Sequence, residues 1–458
     1  MKIALVELSA HNRLNIYSLV KMPRGIPILA GILKGDGHET TCFVESIQKF
    51  DWRQLQDFPV IGFSAITCTI MPTYSLIRKL RAAGYRGIII LGGPHPTSLP
   101  EEGLRSGANY IVRHEGDKTL SSLIRALEND APVEPILGLS YLNKGQIVHN
   151  ADEEVLSEEE LSNLPPPAFE TIRGFSKMRQ VPLNFSRGCP FRCKFCAVAS
   201  MFGGEYRSVS VEARLRTLSY IRDNYRELWS EGIFFFTDDN FFGNGRTRKI
   251  TLQFMKELIR QNLIPPKGWM CQARVGDISI EIATLMAQAG SKYICSGLES
   301  ADPKALAAFN KGQSPIEIKT AIDNIHRAGI KIIAMMVAGC NVDTFRSVLR
   351  SVHTAKNWGI DFLQLVALVP LPGTVLAKEL EIEKRVKNRD YDKYNGHYVV
   401  IKPKKMSCFG LWAAIWLLNF WFYFLTANGR KLMRDFGKEF FKMTLMVFRH
   451  WVFGSIRK

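Results

Sequence analysis

Cysteine is scarce in this sequence, with nine in 458 residues, too few for a disulfide scaffold. Residues 1–7 carry no long apolar run and no small-residue cleavage site, so no signal peptide is expected and the expected compartment is the reducing cytoplasm. No internal repeat and no low-complexity segment breaks the chain. Apolar residues at 46% and charged residues at 22% exclude a disordered or collagen-like polymer. The chain is too long for one core and predicts two to four domains. In a reducing setting, clustered cysteines read first as metal ligands.

Acidic residues are the minority charge, 43 against 60 Lys and Arg, for a net +17. About half of that excess sits in residues 401–458, with eleven Lys/Arg against two Asp/Glu and four of the eight tryptophans (Trp412, Trp416, Trp421, Trp451). Basic residues beside aromatic and aliphatic runs point to a membrane surface rather than to nucleic acid.

Short apolar runs alternate with helical patterns over the first 130 residues. Strands are expected at 2–7, 41–45, 60–64, 87–91 and 110–113, with helices at 26–34, 72–83 and 119–128. This pattern predicts a doubly wound, flavodoxin-like parallel sheet, with ligands outside the carboxyl ends of its strands. Residues 131–178 read as a connector, with a small hairpin near 139–148 and an acidic run at 152–160 taken as a solvated face. From 179 to 385 six further strand–helix units are expected, at 182–186, 232–237, 268–275, 292–298, 331–338 and 362–368. That number fits a partial (β/α)6 barrel better than a closed eightfold one. Residues 386–458 form the C-terminal region.

The strongest signal is Cys189-x3-Cys193-x2-Cys196, directly after an apolar strand. Three thiolates this close make a soft site for an iron–sulfur cluster or for zinc. Structural zinc needs a fourth protein ligand, which would have to be a remote Cys. Cys42, Cys68, Cys340 and Cys408 lack metal-ligand spacing. On strand parity, Met270, Gln272 and Arg274 share one face and Trp269, Cys271 and Ala273 the other, while Cys295, Gly297 and Glu299 are co-facial. Cys295 is either a buried inert thiol or a hydrogen-atom donor.

The triad with an aromatic Phe195 before its last cysteine resembles the CxxxCxΦC motif of the radical S-adenosylmethionine (SAM) family. The resemblance continues through Phe234-Phe235-Phe236-Thr237-Asp238-Asp239-Asn240-Phe241, Trp269-Met270-Cys271-Gln272-Ala273-Arg274, Gly297-Leu298-Glu299-Ser300 and Pro370-Leu371-Pro372-Gly373-Thr374. With the N-terminal sheet, residues 1–400 resemble the cobalamin-binding branch. The resemblance implies a [4Fe-4S] cluster on Cys189, Cys193 and Cys196 whose open iron chelates SAM, and one-electron cleavage to a 5′-deoxyadenosyl radical. It implies Phe195 beside the adenine, Asp238 or Asp239 on the SAM ammonium where many members carry GGE, and Gln272, Arg274 and Glu299 toward SAM. Cys295 and Glu299 are the candidate catalytic residues, and a flavodoxin- or ferredoxin-type electron donor is implied.

The same resemblance makes residues 1–130 a cobalamin domain. The usual D-x-H-x-x-G source of an axial histidine is missing, and His11 lacks that context. Cobalamin without a histidine ligand is therefore implied, lined by Ser64, Thr67, Thr69, Gly92, Gly93, His95, Glu115 and Gly116. A sheet that binds another nucleotide is the bland alternative.

In the tail, residues 406–429 are uncharged and nearly long enough to span a bilayer. Arg430, Lys431, Arg434, Lys438, Lys442, Arg449, Arg457 and Lys458 would then sit on the far side, against the positive-inside tendency. Two helices embedded in the cytoplasmic leaflet, the second near 440–453, are expected, with a soluble helix packed on the barrel as the alternative. Together these readings predict a cytoplasmic enzyme on the inner face of the membrane that methylates an unactivated carbon of an apolar, lipid-like substrate. Radical cyclisation, rearrangement or carbon–carbon coupling is the alternative, and a corrinoid or redox sensor the non-enzymatic one.

Overall fold

The computed structural model describes residues 1–10, 22–23 and 25–426. His11 and the tail beyond Thr426, including the expected second tail helix, lie outside the described residues.

Strands β1 (Lys2–Glu7), β2 (Glu39–Val44), β3 (Val60–Ser64), β4 (Ile88–Gly92) and β5 (Tyr110–Val112) pair in parallel in the order β2-β1-β3-β4-β5. This is the flavodoxin-like order, whose switch point lies between β1 and β3. Both faces are covered by helices Ile26–Gly35, Ile70–Ala82 and Gly116–Glu128 and their neighbours, which is why β1 reads as a continuous apolar run buried from Ile3 onward. The hairpin of β6 (Leu139–Asn143) and β7 (Gln146–His149) does not stand alone in a connector. β6 pairs antiparallel with β5, and the hairpin completes a seven-stranded sheet. The acidic run is a largely solvated face, as expected, and carries ion pairs of Asp152 with Arg113, Glu158 with Arg246 and Glu160 with Lys118.

The second sheet is wholly parallel. β8 (Gln180–Leu183) leads to the short antiparallel ribbon of β9 (Ser186–Arg187) and β10 (Arg207–Ser208). β11 (Ile233–Phe236), β12 (Trp269–Gln272), β13 (Ser291–Glu299), β14 (Lys331–Ala338) and β15 (Phe362–Ala367) then follow beside β8 in chain order. Six strands with two free edges make an open partial barrel. Side chains alternate along it: Ile332, Ala334, Met336 and Ala338 are buried against the helices, while Ile333, Met335 and Val337 face the other way, half-buried.

Helix Cys408–Phe420, prolonged by a π turn over Trp421–Leu425, lies along the free edge of β15. Leu411, Ala414, Ile415, Leu418 and Phe422 are buried in the main core. Asn419 bonds both backbone groups of Leu365, at 3.4 and 2.9 Å. The Tyr423 hydroxyl does the same at Leu363, accepting its N–H at 3.1 Å and donating to its carbonyl at 2.6 Å. Two side chains thus replace a seventh strand along the edge. This is the packed-helix alternative, with one modification: Phe409 (72% exposed), Leu417 (50%), Phe420 (41%) and Leu425 (60%) leave the outer face apolar.

Candidate functional site

The cysteine loop is closed at its base by the β9–β10 ribbon, where Ser186 faces Ser208 and Arg187 faces Arg207. Gly188 enters the loop at φ +83°, and a Cβ there would lie 1.8 Å from the Glu205 carbonyl oxygen, so only glycine fits. The far side is tied down by Leu376 N–H to the Lys194 carbonyl at 2.9 Å and by the Asn310 amide to the Arg192 carbonyl at 3.1 Å. Cys189, Cys193 and Cys196 are free thiols, half-buried together on this loop. Burial raises all three, Cys196 to about 12, while the Lys311 ammonium opposes the rise at Cys189 and Cys193. Among the described residues, no three His, Cys, Asp or Glu side chains stand close enough for a single metal ion. A zinc tetrahedron at 2.3 Å would need sulfurs roughly 3.8 Å apart. A four-iron cube takes each thiolate on a different iron and leaves one iron without a protein ligand, so three thiols with no fourth protein ligand beside them suit a cluster better than a structural zinc site.

Asp238 and Asp239 part company. Asp238 is buried, accepting the Phe185 N–H at 3.0 Å and the Ser186 hydroxyl. Burial raises its carboxyl, and buried Arg214 opposes that rise. It is a tie between β11 and the start of the ribbon. Asp239 turns to the cysteine loop: it accepts the Gly188 N–H and acts on Cys189 and Cys196. Burial first, and then the neighbouring Asp238, push its carboxyl up to about 7.

On β12, Trp269 and Cys271 are fully buried and Ala273 nearly so, while Met270, Gln272 and Arg274 are half-buried on the opposite face. The Arg274 guanidinium lies 3.9 Å from the centroid of the Phe191 ring inside the cysteine loop and donates to the Gly312 carbonyl. Gln272, Cys295, Ile333 and Phe362 stand in one register layer across four strands, with Gly297, Met335 and Gln364 in the next. The face opposite the helices is thus mainly apolar. Cys295 is 8% exposed, and burial raises its thiol to about 12. Glu299 has φ +59° and is buried against Lys311 (Nζ to Oε1 3.0 Å), close enough to act on Cys193. Phe195 packs edge-on against Phe309, with centroids 5.3 Å apart.

The carboxyl edge of the N-terminal sheet faces this loop. The His114 ring meets the Met201 carbonyl at 3.1 Å, and Ser98 donates to the Pro372 carbonyl at 3.2 Å. Gly92 accepts the Ala65 N–H at 3.0 Å, and Gly116 opens the helix after β5, so Ser64, Gly92, Gly93 and Gly116 do gather at this edge. The four other expected lining residues are already engaged. Thr69 closes a turn on the Ile66 backbone. Thr67 meets His95 Nδ1 at 3.3 Å, and His95 packs on Tyr391 with Glu102 at 3.5 Å from Nε2. Glu115 is buried against Arg187 and Arg207. His114 and His95 thus have both ring nitrogens facing protein groups, the second on His114 being 3.7 Å from Asp152. The edge fits a corrinoid held without a histidine on cobalt. Lys311, Tyr391 and the Arg187–Asp117 pair escaped sequence reasoning. The signal available was a charged residue beside a glycine-bearing motif in Arg187-Gly188 and Lys311-Gly312.

A family model for the Radical SAM superfamily matches residues 183–352, and one for the B12 binding domain matches residues 19–124. The chain is a B12-binding radical SAM enzyme. Its relatives include an uncharacterized methyltransferase of Pyrococcus horikoshii, 26% identical over 397 residues, covering 85% of this chain and 82% of the relative. The anaerobic magnesium-protoporphyrin IX monomethyl ester cyclase of Cereibacter sphaeroides is 26% identical over 410 residues, covering 84% and 64%. The hopanoid C-2 methylase of Rhodopseudomonas palustris is 27% identical over 319 residues, covering 68% and 56%. Among solved structures, the radical SAM methyltransferase TsrM of Kitasatospora setae superposes with a TM-score of 0.67 at 15% identity, covering 83% and 76%, which shows the shared fold.

Proposed function

We propose that this radical SAM enzyme methylates an unactivated carbon of an apolar, lipid-like substrate at a membrane surface. The observation that carries the reading is the cysteine loop lying between the carboxyl edge of the N-terminal sheet and a mainly apolar barrel face. The methyltransferase and hopanoid methylase among the relatives support methyl transfer and an apolar substrate. The cyclase relative supports cyclisation as the second reading. In this proposal residues 1–130 form the cobalamin domain, 131–178 the connector, 179–385 the barrel and 386–458 the membrane-associating region.

When bound, the [4Fe-4S] cluster, SAM and cobalamin supply one-electron cleavage of SAM and a carrier for the methyl group. The protein supplies positions. Cys189, Cys193 and Cys196 hold the cluster. Asp239, rather than the framework carboxylate Asp238, accepts from the SAM ammonium. Arg274 and Gln272 face the SAM carboxylate and ribose, and Phe195 with Phe309 forms an aromatic wall for the adenine. Lys311 holds Glu299 in its left-handed conformation at the same site, and Cys295 stands in the layer a substrate would meet. Buried Cys295 keeps its proton at neutral pH, the form a hydrogen-atom donor needs. Gln364 gives the apolar face a polar point that would orient a substrate with one oxygen function. The exposed apolar face of helix Cys408–Phe420 supplies the membrane contact. A flavodoxin- or ferredoxin-type protein delivers the electron.

The deciding experiment is anaerobic turnover with deuterated-methyl SAM and membrane lipid extract, read by mass spectrometry. A lipid carrying the labelled methyl group, with both S-adenosylhomocysteine and 5′-deoxyadenosine, is expected. 5′-Deoxyadenosine with no S-adenosylhomocysteine would move the assignment to cyclisation or coupling.

A further inference from the structure

The ribbon at the base of the cysteine loop sets two arginines directly opposite each other, Arg187 on β9 and Arg207 on β10. Like charges in that position repel across a strand pair, and these are buried, with side chains 12% and 7% exposed. Left to the barrel alone, two buried guanidinium groups would cost several kcal/mol each.

The neutralising charges come from the other domain. Asp117 takes Arg187 in a two-bond fork, at 2.6 and 2.9 Å. Glu115 accepts two bonds from Arg207 and lies 3.3 Å from Arg187. Both carboxylates sit at the start of helix Gly116–Glu128, directly after β5, on the edge where the N-terminal sheet takes its ligand. Glu115 also accepts the Leu156 N–H at 3.0 Å, and Arg207 donates to the Leu156 carbonyl at 2.7 Å. Two positive and two negative charges close the cluster across the domain boundary. One residue beyond Arg187 is Gly188, whose N–H holds Asp239, and the next is Cys189.

We propose that Arg187 and Arg207 are positioning residues, and that the cysteine loop reaches its working geometry only when Glu115 and Asp117 of the N-terminal domain are docked on them. The corrinoid edge and the cluster loop are thereby one mechanical unit: a shift of the helix start after β5 is passed through a rigid fork to the loop. Arginine is required because the planar fork fixes direction as well as charge. The inference rests on Cys189, Cys193 and Cys196 being the cluster ligands.

The test uses the full chain, reconstituted anaerobically with iron and sulfide and loaded with cobalamin, as wild type, Arg187→Gln, Asp117→Asn and the double variant. Iron and cobalamin per chain, the electron paramagnetic resonance spectrum of the reduced cluster before and after SAM, and 5′-deoxyadenosine formation are measured. Each single variant is expected to keep wild-type iron and cobalamin, to lose or broaden the SAM-induced spectral change, and to cleave SAM about tenfold more slowly, since small misplacements of reacting groups are costly. The double variant is expected to be no worse than the worse single one, because the pair acts as a unit. A wild-type SAM-bound spectrum in either single variant, or additive losses in the double, would overturn the proposal. Should Arg187→Gln fail to fold, Asp117→Asn, which lies outside the loop and keeps its volume, decides alone. A wild-type protein without a cluster would instead overturn the reading of the three cysteines.

Discussion

Replacing Gly188 by alanine puts a methyl group where the loop has no space for it. Two costs act, and the structure separates them. A left-handed conformation in a residue with a Cβ costs roughly 1–2 kcal/mol, and this applies equally to Gly203 at φ +71° in the same loop. The second cost is particular to Gly188. Its Cβ would meet the Glu205 carbonyl oxygen at 1.8 Å, whereas at Gly203 nothing lies within 4 Å. Since Glu205 is backbone beside the ribbon, the chain must move by roughly 1.2 Å before the contact reaches the shortest distance that packed atoms tolerate. That displacement falls on the residue before Cys189 and on the N–H that holds Asp239. A shift of about 1 Å in a positioned group can cost on the order of a hundredfold in rate. Gly188→Ala should therefore cleave SAM about a hundredfold more slowly, and Gly203→Ala should show only the strain cost. The assay is 5′-deoxyadenosine formation by anaerobically reconstituted protein, normalised to iron content. Wild-type cleavage by Gly188→Ala, or an equal loss in Gly203→Ala, would refute the reasoning.

Wild-type protein reconstituted anaerobically should hold about four irons per chain, as one cubane requires, and Cys189→Ala should abolish SAM cleavage; any turnover by that variant removes the cysteine from the ligand set. Co(II) cobalamin on the protein should show no nitrogen splitting from an axial ligand in its electron paramagnetic resonance spectrum, and His114→Ala should leave the spectrum unchanged; a splitting lost on that substitution would identify His114 as a cobalt ligand. Phe409→Ser, Leu417→Ser and Phe420→Ser together remove exposed apolar area worth about 3 kcal/mol, roughly a hundredfold in partitioning, at about 2 kcal/mol per fully buried large side chain. The triple variant should leave vesicles of anionic lipid at that ratio in a flotation assay, and wild-type protein should resist release by high salt, which screens only the charged part. Wild-type protein stripped by salt alone would show that the apolar face does not enter the leaflet.

The alternation of apolar runs and helical patterns was enough to read the parallel strands of both sheets, because each is a local, mostly apolar signal of three to nine residues. The expected strand at 331–338 coincides with β14 (Lys331–Ala338), and the expected parity on β12 appears as buried Trp269, Cys271 and Ala273 against half-buried Gln272 and Arg274. The cysteine loop was legible for another reason: ligand spacing is written in consecutive residues. What could not be read was pairing between distant charges. Nothing near Glu115 in sequence reveals that its partners are Arg187 and Arg207. Its place at a strand end pointed to the corrinoid, and the same rule placed His95 there without revealing that its ring is enclosed by Thr67, Glu102 and Tyr391. Asp238 and Asp239 looked equivalent because adjacent residues at a strand end share every local feature; only the position of Ser186 and Gly188 separates them.

The tail shows why composition alone was a poor guide to a helix at the edge of an open sheet. An apolar run of this length meets the demand of a bilayer and the demand of a free β-strand edge equally well. The two demands differ in the polar residues. A lipid-embedded face needs none, whereas β15 presents the backbone groups of Leu363 and Leu365, which cost free energy if buried unpaired. Tyr423 and Asn419 are four residues apart, one helical turn, and β15 offers its outward groups at every second residue, so one face of a single helix can serve both. Deleting the segment after Pro403 would therefore do more than remove the proposed membrane contact. It would expose the edge of β15 together with the apolar surface beneath Leu411, Ile415 and Phe422. Barrel closure is carried by the inner face of this helix and the proposed membrane contact by its outer face, so only substitutions on the outer face can test the second without disturbing the first.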